Sequence, residues 1–533
     1  MKADLFAEQY ATTSSLEGHR IAEDMEQTLN DAMHTDDQEE YNRDITHHEI
    51  QEALKRTKNT APGLDKIPNI LLKSLPESIL KELLDIFNQS FTIGEVPENW
   101  KTGLTIPLLK PGKPPELTAS YRPVTLLSCI GKLIERIMNS RLEYIVEKNS
   151  LLNDAQTGFR KERGTYDCLI GLEHDIRDSL GSQKTCLALF IDLKNAFDKI
   201  WPLGLIYKLA KYGIKGKLLK WLKDYLTKRT MYVDVNGTLS DRRELEAGVP
   251  QGAVLSPLLF NIMISDIPHQ VGIKYYIYAD DISITCSHEN PTEAKQVLEN
   301  YIEKLLKWTE DWGLIFNPLK TYLMVFTRKK NVNIPIRIRN QLIKQKKEHV
   351  VLGMMFDSPR LSWAPHLKQL KTDCLRRIDI MKCLSSTKWG ASSKILRMFY
   401  IAYIRAKIDY GSIIYGGTSD ANLKKLEIIQ NSCLRLILGA RKTSPILSMQ
   451  AEANIPPLGL RRSFLLIKYG IKSYYLPYQS ITKTVLYVNK APNERIAFNS
   501  AGYRLNSEAT AMRFSFPKKV FILDLICVHN ETD

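Results

Sequence analysis

Apolar positions recur at helical spacing from residue 46 to about 100, interrupted by the turn Ala61-Pro62-Gly63-Leu64-Asp65. The period then shortens to that of strands. Leu104-Thr105-Ile106-Pro107-Leu108-Leu109-Lys110 reads as one strand and Tyr121-Arg122-Pro123-Val124-Thr125-Leu126 as its return, with Pro111-Gly112-Lys113-Pro114-Pro115 turning between them. A basic β-hairpin results. Amphipathic helices are predicted from about 130 to 180, an apolar strand over Cys186 to Leu193, a helical stretch to about 228 and a short hairpin around Asn236-Gly237. Residues 250–267 read as a helix, and 273–287 as two strand-like runs joined by Ala279-Asp280-Asp281. Helical period returns from about 365 to 475, where Phe399-Tyr400, Tyr403-Ile404 and Ile408 mark one buried face. Trp363, Trp389, Tyr400 and Tyr403 fall at helical spacing among apolar residues and read as core. The leading 45 residues are polar, acidic and permissive of helix, which predicts a loosely attached arm. No period of 20–50 residues repeats.

Composition narrows the class. With 533 residues, 44% hydrophobic and 25% charged, the chain can fill several packed cores, so collagenous, disordered and disulfide-stapled readings fall away. Lys and Arg number 74 against 59 Asp and Glu, a formal charge of +15 that points to a polyanionic partner. The charge is uneven. Residues 1–50 hold 3 basic and 13 acidic side chains, whereas 360–480 hold 20 basic and 6 acidic ones. Nucleic acid is the partner this distribution suggests. Eight cysteines without a CxxC pair, several inside apolar runs, read as reduced thiols of an intracellular protein. The start of the chain lacks the apolar stretch of a secretory signal. The uncharged run Ala247 to Ser265 is broken by Gly248, Pro250, Gly252 and Pro257, which fits a turn and a buried helix better than a membrane span.

Three carboxylates carry the candidate chemistry. Asp192 ends the apolar strand in Phe190-Ile191-Asp192-Leu193, and Asp280-Asp281 sits at a tight turn between strands. Each alone reads as a turn or cap residue. A buried strand ending in a carboxylate must pair or neutralise it, and if the strands lie side by side their carboxylates converge. Such a cluster could hold two divalent ions roughly 3.5–4 Å apart, the arrangement that clamps attacking and leaving oxygens in phosphoryl transfer. Magnesium suits hard oxygen donors and phosphates.

Tyr278-Ala279-Asp280-Asp281, Phe190-Ile191-Asp192 with Ala196-Phe197-Asp198, and Gly248-Val249-Pro250-Gln251-Gly252 followed by Leu255-Ser256-Pro257-Leu258-Leu259-Phe260-Asn261 together resemble the reverse transcriptases of non-LTR retrotransposons, the LINE and jockey-like elements. Ala61-Pro62-Gly63-Leu64-Asp65, Lys110-Pro111-Gly112-Lys113, Tyr121-Arg122-Pro123-Val124 and Gln156-Thr157-Gly158-Phe159-Arg160 are similar to the fingers motifs of that family. Asn317-Pro318-Leu319-Lys320-Thr321 and Leu352-Gly353 with Asp357 are similar to its last palm motifs, so the resemblance runs in order from about 46 to 455. It implies an α+β right-hand polymerase with fingers, palm and helical thumb, divided as an acidic arm (1–45), N-terminal extension and fingers (46–180), palm (181–360), basic thumb (361–475) and a C-terminal segment of unknown role (476–533). The reverse transcriptase core would span about 104–357, fingers included.

The resemblance also implies the site. Asp192, Asp280 and Asp281 would be the palm aspartates, holding two magnesium ions, or manganese, with Leu193 adding its backbone carbonyl. Phe197 would lie under the sugar of the incoming deoxynucleoside triphosphate and exclude a 2′-hydroxyl. Lys110 and Arg122 would hold the triphosphate, Gln251 would face the nucleotide, and Gly252 would permit close backbone approach. Lys320 would give a proton to leaving pyrophosphate. Arg376, Arg377, Lys424, Lys425, Arg435, Arg441, Lys442, Arg461 and Arg462 are candidates for phosphate contacts to an RNA–DNA duplex, some of them ordinary solvated faces. The expected partners are an RNA template, a DNA primer and element RNA in a ribonucleoprotein, with no membrane, in nucleus or cytoplasm. Too few residues precede the first motif for an endonuclease, and no zinc-knuckle spacing or complete ribonuclease H domain is present, which suggests a polymerase segment or truncated reading frame. Two rivals stay open: a copy that binds nucleic acid without catalysis, and an RNA-templated RNA polymerase, which Phe197 disfavours.

Overall fold

The computed structural model describes residues 2–16, 22–35, 39–330, 332–339, 341–386 and 388–475; the expected C-terminal segment 476–533 lies outside them. The chain divides into two compact units. Among the described residues, the first comprises those within 1–159, 192–269 and 302–317, and the second those within 160–191, 270–301 and 318–475. This division cuts across the expected palm of 181–360, because segments distant in sequence supply neighbouring strands.

A mixed sheet organises the first unit. β1 (Thr102–Leu109) pairs antiparallel with β2 (Tyr121–Leu126), in the register Leu108 to Arg122, which is the hairpin read from the sequence. β3 (Thr185–Ile191) belongs to the other unit, and β4 (Arg229–Val235) returns to lie parallel to β1. Short strands β5 (Thr238–Leu239) and β6 (Arg243–Leu245) pair with β4. Asn236 and Gly237 both have positive φ, the geometry of a two-residue turn matched to strand twist.

The acidic arm is a correction. Helix α1 (Lys2–Thr13) buries Phe6, Ala7 and Tyr10 against Met231 and Val233 of β4, and the Phe6 ring meets Tyr121 edge-on at 4.9 Å. Helix α2 (Glu23–His34) buries Leu29, Ala32 and Met33 and packs on the helices Pro202–Lys211 and Gly216–Leu226. Arg141 then ties down the chain that follows: its guanidinium donates to Glu49 at 2.8 and 2.9 Å and to the carbonyls of Tyr41, Arg43 and Asp44. Apolar residues three and four apart, not the net charge, decide that this segment docks.

In the second unit a sheet runs in the order Lys344–Gln345, β9 (Tyr322–Phe326), β3, β8 (Asp281–His288), β7 (Ile273–Tyr278). β3 is central, and all seven of its residues are buried, as its unbroken apolar run requires. One face packs Cys186, Ala188 and Phe190 in a common core with Cys168, Leu172 and Ile176 of the helix Thr165–Gly181. That core continues through the helices Ala364–Leu384 and Asp420–Leu438. Tyr400, Ile404 and Ile408 are buried there, but Tyr403 is 42% and Trp389 70% exposed, so these two are not core. The reason for Tyr403 is local: Tyr400–Arg405 forms a π-helical turn, whose wider winding keeps every fourth residue inward and rotates its neighbours out. The helix expected over 250–267 is confined to Ser256–Met263, because Pro250-Gln251-Gly252 makes a turn. Among the described residues no helix is long and apolar enough to cross a membrane.

Candidate active site

Phe197, Gln251, Gly252, Lys110 and Arg122 all lie in the first unit, and backbone hydrogen bonds join their segments. Val249 N–H donates to the Phe197 carbonyl (2.9 Å) and Gly248 N–H to the Ile200 carbonyl (2.8 Å), so the turn carrying Gln251 is fastened to the turn carrying Phe197. Gly248 has φ +97°, and a Cβ there would lie 2.9 Å from the Asp198 carbonyl oxygen. The Gln251 carbonyl accepts from Thr125 N–H of β2 at 2.9 Å. Gly252, at φ +132°, would bring a Cβ within 2.5 Å of the Thr125 carbonyl oxygen. At Gly252 the backbone that comes close is that of β2.

Side chains complete this cluster. The half-buried Phe197 ring stacks on Phe260 (4.6 Å, 19°) and meets Phe159 edge-on (6.4 Å, 85°), which holds it as a rigid wall. Gln251 Nε2 donates to Asp198, 2.9 Å from Oδ1 and 3.2 Å from Oδ2. Burial pushes the Asp198 carboxyl up to about 6, against the lowering effects of Gln251 and of the Lys110 charge. Lys110 follows β1 and donates its ammonium to the Ala119 carbonyl (3.1 Å), while Arg122 in β2 is exposed. Glu135, 1% exposed in the helix Cys129–Lys148, accepts from Val254 N–H at 2.8 Å and so holds the chain just past Gly252; burial pushes its carboxyl up. The positioning contacts of Asp198 and Glu135 were not anticipated, although a charged residue on the apolar face Leu133-Ile134…Ile137 is a signal of a partner.

Asp192 also lies in the first unit. Its carbonyl accepts from Asn317 N–H (3.0 Å), and its Oδ2 accepts from Asn317 Nδ2 (3.0 Å). Leu193 faces Phe316 in an isolated antiparallel bridge closed by the Asn317-to-Asp192 and Lys194-to-Ile315 hydrogen bonds, in which its own carbonyl takes no part.

Asp280, Asp281 and Lys320 belong to the second unit. Tyr278 pairs with Asp281, so Ala279 and Asp280 are the two turn residues between β7 and β8, with Ala279 at φ +56°, a conformation unusual for a side chain with a Cβ. Both aspartates are exposed. Ile191, the last residue of β3 and the one before Asp192 in the chain, pairs with Ile282, the residue after Asp281. Lys320 is exposed in the turn Pro318–Lys320, directly ahead of β9. Among the described residues no group of three or more His, Cys, Asp or Glu side chains is placed to hold a metal ion.

The basic candidates in the helical region separate by contact. Arg376, Lys424, Arg441 and Lys442 are exposed. Arg377 lies 4.2 Å over the Tyr403 ring and donates to the Tyr403 carbonyl, and Lys425 donates to Asn422 (2.8 Å). Arg435 holds the carbonyls of Asn431 and Lys442. Arg461 pairs with Asp409 at 3.0 Å, and Arg462 lies 3.7 Å from Glu427.

Residues 108–356 match the family described as reverse transcriptase (RNA-dependent DNA polymerase), and this defines the class of the α+β assembly as a right-hand polymerase. The matched region is a reverse transcriptase domain of the form carried by non-LTR retrotransposons. It is 34% identical over 406 residues to a probable RNA-directed DNA polymerase from transposon BS of Drosophila melanogaster, covering 73% of this chain and 44% of the relative. It is 27% identical over 463 residues to the RNA-directed DNA polymerase from mobile element jockey of the same organism, covering 85% of this chain and 50% of the relative. The chain thus spans about half the length of the curated relatives it matches. Among solved structures it is similar to apo telomerase from Candida tropicalis at a TM-score of 0.39 and 12% identity, over 80% of this chain and 74% of that one.

Proposed function

We propose that this chain is an RNA-directed DNA polymerase of a non-LTR retrotransposon, extending a DNA primer on an RNA template with deoxynucleoside triphosphates. The observation that carries the reading is the fastening of the Phe197 turn, the Gln251 turn and the β1–β2 hairpin into one cluster, since a polymerase needs a sugar wall, a base-side contact and triphosphate cations in fixed relation. Phe197 would bar a 2′-hydroxyl, and Lys110 and Arg122 would hold the triphosphate.

Enzymes of this family use divalent metal ions. Here two magnesium ions, or manganese, would be held by Asp192, Asp280, Asp281 and the Leu193 carbonyl, a hard-oxygen donor set suited to them. When bound, such ions lower the pKa of the primer 3′-hydroxyl and neutralise charge building at phosphorus. The 3′-oxygen attacks the α-phosphorus, the bond to pyrophosphate breaks, and Lys320 would protonate that leaving group. Arg376, Lys424, Arg441 and Lys442 would meet duplex phosphates, and the RNA of the element would be held in a ribonucleoprotein, in nucleus or cytoplasm.

Primer extension on poly-rA/oligo-dT with magnesium and labelled dTTP tests this. The parent extends, and Asp280→Asn abolishes extension while leaving duplex binding within about 2-fold. A folded, duplex-binding parent that fails to extend would establish the non-catalytic reading instead.

A further inference from the structure

We propose that Asp198 is a positioning residue for the incoming nucleotide: its carboxylate fixes the side-chain amide of Gln251 so that the Oε1 carbonyl faces the substrate. This rests on the polymerase reading above, and it concerns a residue that touches no substrate itself. The geometry is a fork. Gln251 Nε2 lies 2.9 Å and 3.2 Å from the two oxygens of Asp198. An ionised carboxylate only accepts, so the atom facing it must be the amide nitrogen, and the amide cannot flip without setting oxygen against oxygen.

Asp198 is itself held on both sides. Its N–H donates to the Asn195 carbonyl (2.9 Å), and Gly248 lies against its backbone carbonyl so closely that a Cβ would not fit. The Gln251 backbone is fixed independently by Thr125 N–H. With the backbone placed and one amide N–H shared between the two carboxylate oxygens, Gln251 keeps its Oε1 acceptor and its second N–H for a ligand, and Asp198 sets which end each occupies. Two further groups face this carboxylate from other elements, and neither replaces Gln251. Lys110, from the hairpin, acts on it through charge, and Tyr10, from α1, lines the same cleft with a buried hydroxyl that has no hydrogen-bond partner. Raising of the Asp198 carboxyl by burial is consistent with a group kept in an unfavourable place for what it orients.

A double-mutant cycle on the full chain decides the matter. KM for dTTP and kcat are measured on poly-rA/oligo-dT for Asp198→Ala, Asp198→Asn, Gln251→Ala and the Asp198→Ala/Gln251→Ala double variant, with Tm alongside. Gln251→Ala and Asp198→Ala each raise KM about 10-fold with kcat within about 2-fold, and the double variant is no worse than Gln251→Ala alone. Asp198→Asn, whose Oδ1 still accepts, stays within about 3-fold of the parent. Effects that multiply in the double variant, or an Asp198→Ala that lowers Tm and kcat with KM unchanged, overturn the proposal. Should Asp198→Ala not fold, Asp198→Leu removes both acceptors at similar size, and the same cycle is run with it. An active parent with a multiplicative cycle fails this inference alone, whereas an inactive parent fails the polymerase reading with it.

Discussion

A carboxyl group raised to about 6 by burial weakens the folded state at neutral pH. Unfolded, Asp198 titrates near 3.8. The favourable contribution of its proton is therefore complete below about pH 4 and is lost as pH rises through 6, a difference on the order of 2–3 kcal/mol. Chemical denaturation of the parent and of Asp198→Asn across pH 4 to 7.5 checks this: the gap between them widens with pH in favour of the variant. A gap that stays constant would mean that the carboxyl pays no desolvation penalty. Phe197 supplies a second test at this scale. Wedged between Phe260 and Phe159, its ring cannot swing aside to admit a larger sugar. Phe197→Val should raise incorporation of rUTP relative to dTTP by about 10-fold or more, as a cavity of a few methylenes is worth that much discrimination. An unchanged preference removes Phe197 from the gate.

Elements place these residues, and one of them acts at a distance. Helix α1 covers Met231 and Val233 of β4, and the carbonyl of Ser14, the residue just after it, accepts from Ala247 N–H (2.7 Å), one residue before the Gly248 turn. Truncating Phe6, which is 8% exposed, to Ala should cost about 2–4 kcal/mol of stability in urea unfolding and raise KM for dTTP as the turn loosens. An N-terminal segment that behaves as a free arm would show neither effect. This is also where the sequence was least informative, because thirteen acidic side chains in the first fifty residues mask the spacing of Phe6, Ala7 and Tyr10. Elements with a clean period were legible: the β1–β2 hairpin, the all-apolar β3, and β7–β8 with Ala279 and Asp280 at the turn. The π-helical turn at Tyr400–Arg405 was not, since its extra winding depends on tertiary packing rather than on any residue pattern. In the site, Phe197 and Gln251 stood out as motif residues, whereas Asp198 became legible only when the Gly248 turn folded against it.

At the scale of the whole molecule the net charge of +15 favours binding to polyanions, and the contacts of individual cations decide how that binding responds to salt. Arg376 and Lys424 are exposed, so a phosphate contact is open to them, whereas Arg461 is spent on Asp409 at 3.0 Å, with Arg405 3.9 Å from the same carboxylate. The two kinds of cation should separate in one experiment. For Arg376→Ala and Lys424→Ala, the slope of log affinity for an RNA–DNA duplex against log salt falls by about 0.7–0.9 each, with little change in Tm. For Arg461→Ala the slope is kept and stability drops by roughly 1–3 kcal/mol, since Asp409 loses a charged hydrogen-bond partner in a partly buried place. If Arg461→Ala changes the slope and leaves stability intact, that arginine is on the duplex instead. If neither Arg376→Ala nor Lys424→Ala moves the slope, the duplex lies elsewhere on the chain and the basic excess of 360–480 is a solvated face.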